Sequence, residues 1–211
     1  MTWRGVHAAL ALATLVLPPI AARAQVGSIH GTIAVPAARI AGVVVYLLPE
    51  VASGVPSVKA ETATIDQRNL HFIPGVVTVT PGSTVVFLNS DRVMHNVFHP
   101  WRRGTGFDLG LWAPGESRQF VFRSEGAFVI LCEVHPEMTG YVVVLGSPYR
   151  VVSDESGHFV LDGVAPGRYR LRTWHHRLAA HEERVMVADG GVVQVALRLK
   201  VGKAAAPTAL R

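Results

Sequence analysis

The sequence predicts an all-β protein made of two small sandwiches, and three observations carry that expectation. Val193, Val195, Leu197 and Leu199 alternate with Gln194, Ala196, Arg198 and Lys200, and Phe120 and Phe122 share a face opposite Val121. This two-residue period belongs to a strand with one buried face. Turn signals recur at strand-like intervals, among them Thr80-Pro81-Gly82-Ser83, Ala113-Pro114-Gly115-Glu116, Ser124-Glu125-Gly126, Glu155-Ser156-Gly157, Ala165-Pro166-Gly167 and Asp189-Gly190-Gly191. No window carries an apolar stripe at helical spacing.

Residues 1–24 read as a secretory leader rather than as part of the fold. Arg4 supplies a positive start, Ala8 to Ile20 an apolar stretch, and Ala22-Arg23-Ala24 a small-x-small cleavage site. Cleavage there exposes Gln25 and not a cysteine, which excludes a lipid-anchored start and predicts a periplasmic address. No later segment approaches the roughly twenty consecutive apolar residues of a spanning helix, so no membrane span is expected. The chain has 20 basic against 15 acidic side chains. Losing Arg4 and Arg23 with the leader reduces that excess, which is too diffuse to argue for nucleic acid.

After the leader, Gly27 to Ile33 and Ala41 to Leu47 read as the first two strands, within a segment covering 25–60. The segment 61–146 follows, with an apolar run at Val85-Val86-Phe87-Leu88 that reads as a buried strand. Residues 147–203 return to alternating strands, and the tail 204–211 has no periodic pattern and is expected to fray.

The chemistry is concentrated in Cys132-Glu133-Val134-His135-Pro136-Glu137-Met138, which contains the only cysteine of the chain. Thiolate, imidazole and thioether recur at intervals of three, and a second imidazole is available from His95 in Val93-Met94-His95-Asn96-Val97. One soft thiolate, two imidazoles and a thioether suit copper, because the set favours neither oxidation state outright and little rearrangement separates them. The compartment supports this reading. An unpaired thiol in an oxidising space invites unwanted disulfides unless a metal occupies it, although a buried cysteine can also serve as a small hydrophobe.

From about Glu61 to Gly146 the chain resembles a cupredoxin of the plastocyanin and amicyanin kind. The resemblance lies in Phe72-Ile73-Pro74, the run from Val79 to Phe87, Asn89, His95-Asn96-Val97 and the loop Cys132 to Met138, whose spacing is similar to amicyanin's. It implies a Greek-key sandwich holding one type 1 copper ion, with His95, Cys132 and His135 in a plane and Met138 as a long axial ligand. It also implies that Asn96 ties the two ligand loops together near Glu133, and that His135 reaches the surface through an apolar patch bordered by Pro136. His99 is the competing upstream histidine; the His-Asn-Val pattern favours His95.

The flanks, Arg150 to Leu161 and Val164 to Leu171 with Gly27 to Ile33 and Ala41 to Leu47, resemble a carboxypeptidase-regulatory-like sandwich. The cupredoxin would then be inserted into that sandwich. The alternative assigns the first strands to the cupredoxin. Two-part chains of this kind are similar to methylamine utilisation proteins.

The function implied is a periplasmic carrier of single electrons between a redox donor and acceptor, not an enzyme. Copper oxidases and nitrite reductases need a further copper held by paired histidine motifs, and no His-x-His occurs here. Copper delivery, sensing or storage without electron transfer is the alternative. His175, His176 and His181 could hold a second metal or simply form a polar strand end, and Trp101-Arg102-Arg103 could face a redox partner or solvent. Oligomeric state is left open by the sequence.

Overall fold

The computed structural model describes residues 1, 25–36, 40–51, 55–100 and 106–207. Residues 2–24, which hold nearly all of the expected leader, the segment Trp101-Arg102-Arg103 and the residues from 208 onward lie outside the described residues. No helix occurs among those described. The strands are β1 (Gly27–Ala34), β2 (Val44–Pro49), β3 (Thr62–Arg68), β4 (His71–Ile73), β5 (Val76–Val79), β6 (Ser83–Asn89), β7 (His95–His99) and β8 (Phe107–Trp112). They continue as β9 (Ser117–Phe122), β10 (Gly126–Leu131), β11 (Thr139–Val144), β12 (Arg150–Val152), β13 (His158–Val164), β14 (Gly167–Trp174), β15 (His181–Val187) and β16 (Val192–Arg198).

Four sheets result. Strands β3 to β11 supply two of them, in the orders β5-β11-β10-β7-β8 and β4-β3-β6-β9. Their facing sides enclose Ile65, Phe87, Trp112, Phe122, Ile130 and Val142. The remaining strands supply β13-β1-β16 and β12-β2-β14-β15, around Ile29, Val45, Leu47, Phe159, Leu171 and Leu197. Strand β1 runs parallel to β16, with Ile29 opposite Val193, and antiparallel to β13. The turn before β13 needs glycine: Gly157 has φ of 81°, and a Cβ there would lie 2.5 Å from the Ile33 carbonyl oxygen.

Strand β2 explains why Val43 to Leu48 is apolar throughout instead of alternating. It pairs with β12 and β14, Leu47 opposite Leu171 and Val45 opposite Val151, and all six of its residues are buried. Val45 and Leu47 face the core around Ile29 and Leu197. Val44, Tyr46 and Leu48 face a separate apolar layer with Val143 of β11, Leu145 just after it and Trp174 of β14. A strand covered on both faces loses the polar half of its pattern.

The edge of this second layer is aromatic. Tyr141 of β11 stacks on His176 with centroids 4.6 Å apart and meets Trp174 edge-on at 5.5 Å. The neighbouring His175 is 5 % exposed, and its Nδ1 accepts the Arg177 N–H at 3.2 Å. Burial, with His176 and Arg177 nearby, lowers its pKa from 6.5 to about 4. Above pH 6.5 the ring is neutral folded or unfolded and contributes nothing to pH dependence. Below that, the unfolded chain takes up the proton first, so stability falls as pH drops toward 4, by on the order of 2 kcal/mol. Urea unfolding at pH 7 and pH 4.5 should show this loss in the wild type and a smaller one in His175→Asn, whose carbonyl can still accept the Arg177 N–H. Equal losses in the two proteins would contradict it.

At the tail, Ala205, Ala206 and Pro207 line a small pocket with Tyr46, Trp174 and His181, and Pro207 is buried.

Candidate metal centre

The site forms where three backbone segments end together. Strands β10 and β11 pair as an antiparallel hairpin up to Leu131 opposite Thr139, so Cys132 to Met138 is the loop that closes it. Strand β7 pairs with β10 through Phe98 and Leu131, which brings the start of β7 against that loop. On its other side β7 shifts register against β8 between Asn96 and Phe98. The extra residue lies in β8, which advances three positions while β7 advances two, so the side chains of β7 keep their alternation.

Three donor atoms converge there. His95 Nδ1 lies 3.7 Å from Cys132 Sγ, His135 Nδ1 lies 3.8 Å from the same sulfur, and the two nitrogens are 3.0 Å apart. A point equidistant from all three is about 2 Å from each, close to first-row transition-metal bond lengths to nitrogen and sulfur and short for calcium. The donor chemistry agrees with the spacing: two imidazoles and a thiol suit a borderline-soft ion. These residues form a site that can hold a metal ion.

The surroundings are dry on one side. His95 is fully buried and Cys132 is 3 % exposed, while His135 is only partly covered, beside exposed Val134 and Pro136. Met138 is 1 % exposed, packs in the same apolar cluster as Cys132, and donates its N–H to the His135 carbonyl at 2.9 Å. That bond tightens the loop into a turn. Asn96 Oδ1 accepts the Glu133 N–H at 2.7 Å, so the strand carrying His95 and the loop carrying Cys132 are tied directly, as the resemblance implied. Glu133 and Glu137 are exposed beside the partly covered His135.

Asp91 has a role that the sequence reading did not single out. Its Oδ2 accepts the Leu70 N–H at 2.9 Å and lies 3.2 Å from His95 Nε2, and its Oδ1 accepts the Arg92 N–H at 2.9 Å. The two backbone donors are the main cause of a carboxyl pKa below the usual range. An acid four residues before His95 was the available signal.

The other histidines lie elsewhere. His99 sits at the far end of β7, its Nδ1 2.8 Å from the Val129 carbonyl and its ring against Phe107 and Phe128. His175 and His176 belong to the aromatic edge by Tyr141, and His181 Nε2 is 3.5 Å from Glu183. Among the described residues, the only group of three or more metal-binding His, Cys, Asp or Glu side chains is His95, Cys132 and His135.

Fold and site together define an all-β protein with a largely buried site of two histidines and one cysteine at a sheet end that can hold a metal ion. No family model matches the chain. Among solved structures, it is similar to a purple cupredoxin from Nitrosopumilus maritimus at 26 % identity, over 39 % of this chain and 98 % of that one, with a TM-score of 0.36. Amicyanin from Paracoccus versutus is 21 % identical over 47 % of this chain and 97 % of that one, with a TM-score of 0.38. A Cu-containing nitrite reductase from Thermus scotoductus SA-01 is 26 % identical over 46 % of this chain but only 25 % of its own, at a TM-score of 0.38.

Proposed function

We propose that this chain is a type 1 copper protein that carries single electrons between redox partners, with His95, Cys132 and His135 as equatorial ligands and Met138 as the axial one. The supporting observation is the triangle of two Nδ1 atoms and one Sγ, whose centre lies at bonding distance from all three. Bound copper would supply a one-electron couple. The chain's own contribution is rigidity: Asn96 holds the two ligand segments together, and the sandwich buries Cys132 and Met138. Partly covered His135 gives the ring edge nearest solvent, flanked by Glu133 and Glu137, so docking would be partly electrostatic and sensitive to salt.

In the same reading, residues 1–24 are a signal peptide and the mature protein is periplasmic. Residues 61–146 form a cupredoxin inserted into a regulatory-like sandwich of residues 25–60 and 147–203. The strand pairs of β2 with β12 and β14, and of β1 with β13 and β16, support that division. The partners are periplasmic redox proteins, and the chain itself is not an enzyme.

The deciding experiment adds cupric ion to purified residues 25–211 and records the visible and paramagnetic resonance spectra. An intense thiolate-to-copper band with a small parallel hyperfine splitting is expected. A weak, tetragonal cupric spectrum would overturn the type 1 assignment. Rapid loss of copper to a mild chelator, without a reversible couple, would assign delivery or storage instead.

A further inference from the structure

The turn between β3 and β4 has a demanding geometry. Only Asn69 and Leu70 separate Arg68 from its partner His71, and both have positive φ, 52° and 59°. A two-residue hairpin of this kind prefers asparagine followed by glycine. Asn69 fits. Leu70 does not, because its Cβ makes the left-handed region unfavourable, and such outliers persist where the surroundings over-determine them.

What the conformation achieves is visible in its hydrogen bonds. It directs the Leu70 N–H at Asp91 Oδ2, 2.9 Å away, and that oxygen also faces His95 Nε2 at 3.2 Å. The second carboxylate oxygen accepts the Arg92 N–H, and the Asp91 N–H donates to Asn89 Oδ1 at 3.1 Å. Asn89 in turn donates to the Val93 and Trp112 carbonyls at 2.9 and 3.3 Å. Asp91 is thus held from both sides, with Oδ2 shared between the Leu70 N–H and the imidazole.

We propose that Asp91, locked by the Asn69–Leu70 turn, is the positioning residue that keeps His95 in its Nε2–H tautomer, with the Nδ1 lone pair facing the metal position. A carboxylate can only accept, so the proton on this ring must sit on Nε2. Nδ1, 3.7 Å from Cys132 Sγ and 3.0 Å from His135 Nδ1, then carries no proton of its own before any metal arrives. The negative charge behind the ring also strengthens it as a donor and favours the more highly charged metal ion. The effect on potential rests on the copper reading proposed above; the tautomer does not.

The test has a metal-free arm and a copper arm. In the apo-protein, long-range proton–nitrogen correlation spectra should show His95 with a protonated Nε2 and a bare Nδ1. A wild-type ring protonated on Nδ1 overturns the proposal without any variant. In Asp91→Asn the single pattern should give way to mixed tautomers, copper should bind about 10- to 100-fold more weakly, and the potential should rise. Glu155→Gln, the same charge change on the distant β12–β13 turn, should leave all three unchanged. If Asp91→Asn, with a wild-type amide spectrum, keeps the tautomer and the potential, Asp91 serves only to cap its loop. Absence of the intense copper band in wild type would sink the type 1 reading while leaving the tautomer result standing.

Discussion

Cys132→Ser is expected to abolish the intense visible band of the copper-loaded protein completely. The transition needs a thiolate sulfur bound to the metal, and a serine hydroxyl stays protonated near neutral pH and gives a hard oxygen donor in its place. Two imidazoles would remain, so weak cupric binding with a tetragonal resonance spectrum is the predicted residue of activity. The same variant should lose metal-linked stability. Copper at 100 times its dissociation constant stabilises the wild type by about 2.7 kcal/mol, whereas Cys132→Ser should gain little at that concentration. Met138→Leu should keep the band and raise the potential, since in the proposed site the thioether would be the weak axial donor. His99→Ala should leave the spectrum unchanged, because its ring lies at the other end of β7 against Phe107 and Phe128. A band that persists in Cys132→Ser would remove the thiolate from the site.

The largest stability effect is expected from Leu47→Ala. Leu47 is fully buried in β2, opposite Leu171, in a strand with neighbours on both sides and on both faces. Truncation loses the burial of the removed groups and leaves a cavity that the surrounding sheets cannot easily close, about 3 to 4 kcal/mol in total. Urea unfolding followed by circular dichroism checks the figure. Val134→Ala, at a position 48 % exposed, should change stability by less than about 0.5 kcal/mol. Comparable losses in the two variants would mean that β2 is not the buried central strand described.

The donor types of the site were legible in the sequence because they sit within seven residues, and a short loop keeps its spacing whatever the fold does. The choice between His95 and His99 was harder. Four residues apart on one strand, they project from the same face, so alternation cannot separate them. They are about 13 Å apart along the strand, and only the register of β7 against β10 decides which end meets the loop. Asn96 was legible only through the resemblance, which implied a tie between the two ligand segments. Asp91 was not, since its role depends on the Leu70 N–H, 21 residues away in sequence and aimed by backbone angles that leucine does not advertise.

The sequence by itself determined an all-β chain of short strands and a set of soft and borderline donors, because period-two patterning, turn residues and a lone cysteine loop are local properties. Only the tertiary structure decided that β2 pairs with β12 and β14 and is covered twice, and that two nitrogens and a sulfur meet within bonding reach of one point. It also aimed the Asp91 carboxylate at His95. Those outcomes depend on strand register between distant segments, and in a sheet a shift of one residue turns every side chain to the opposite face.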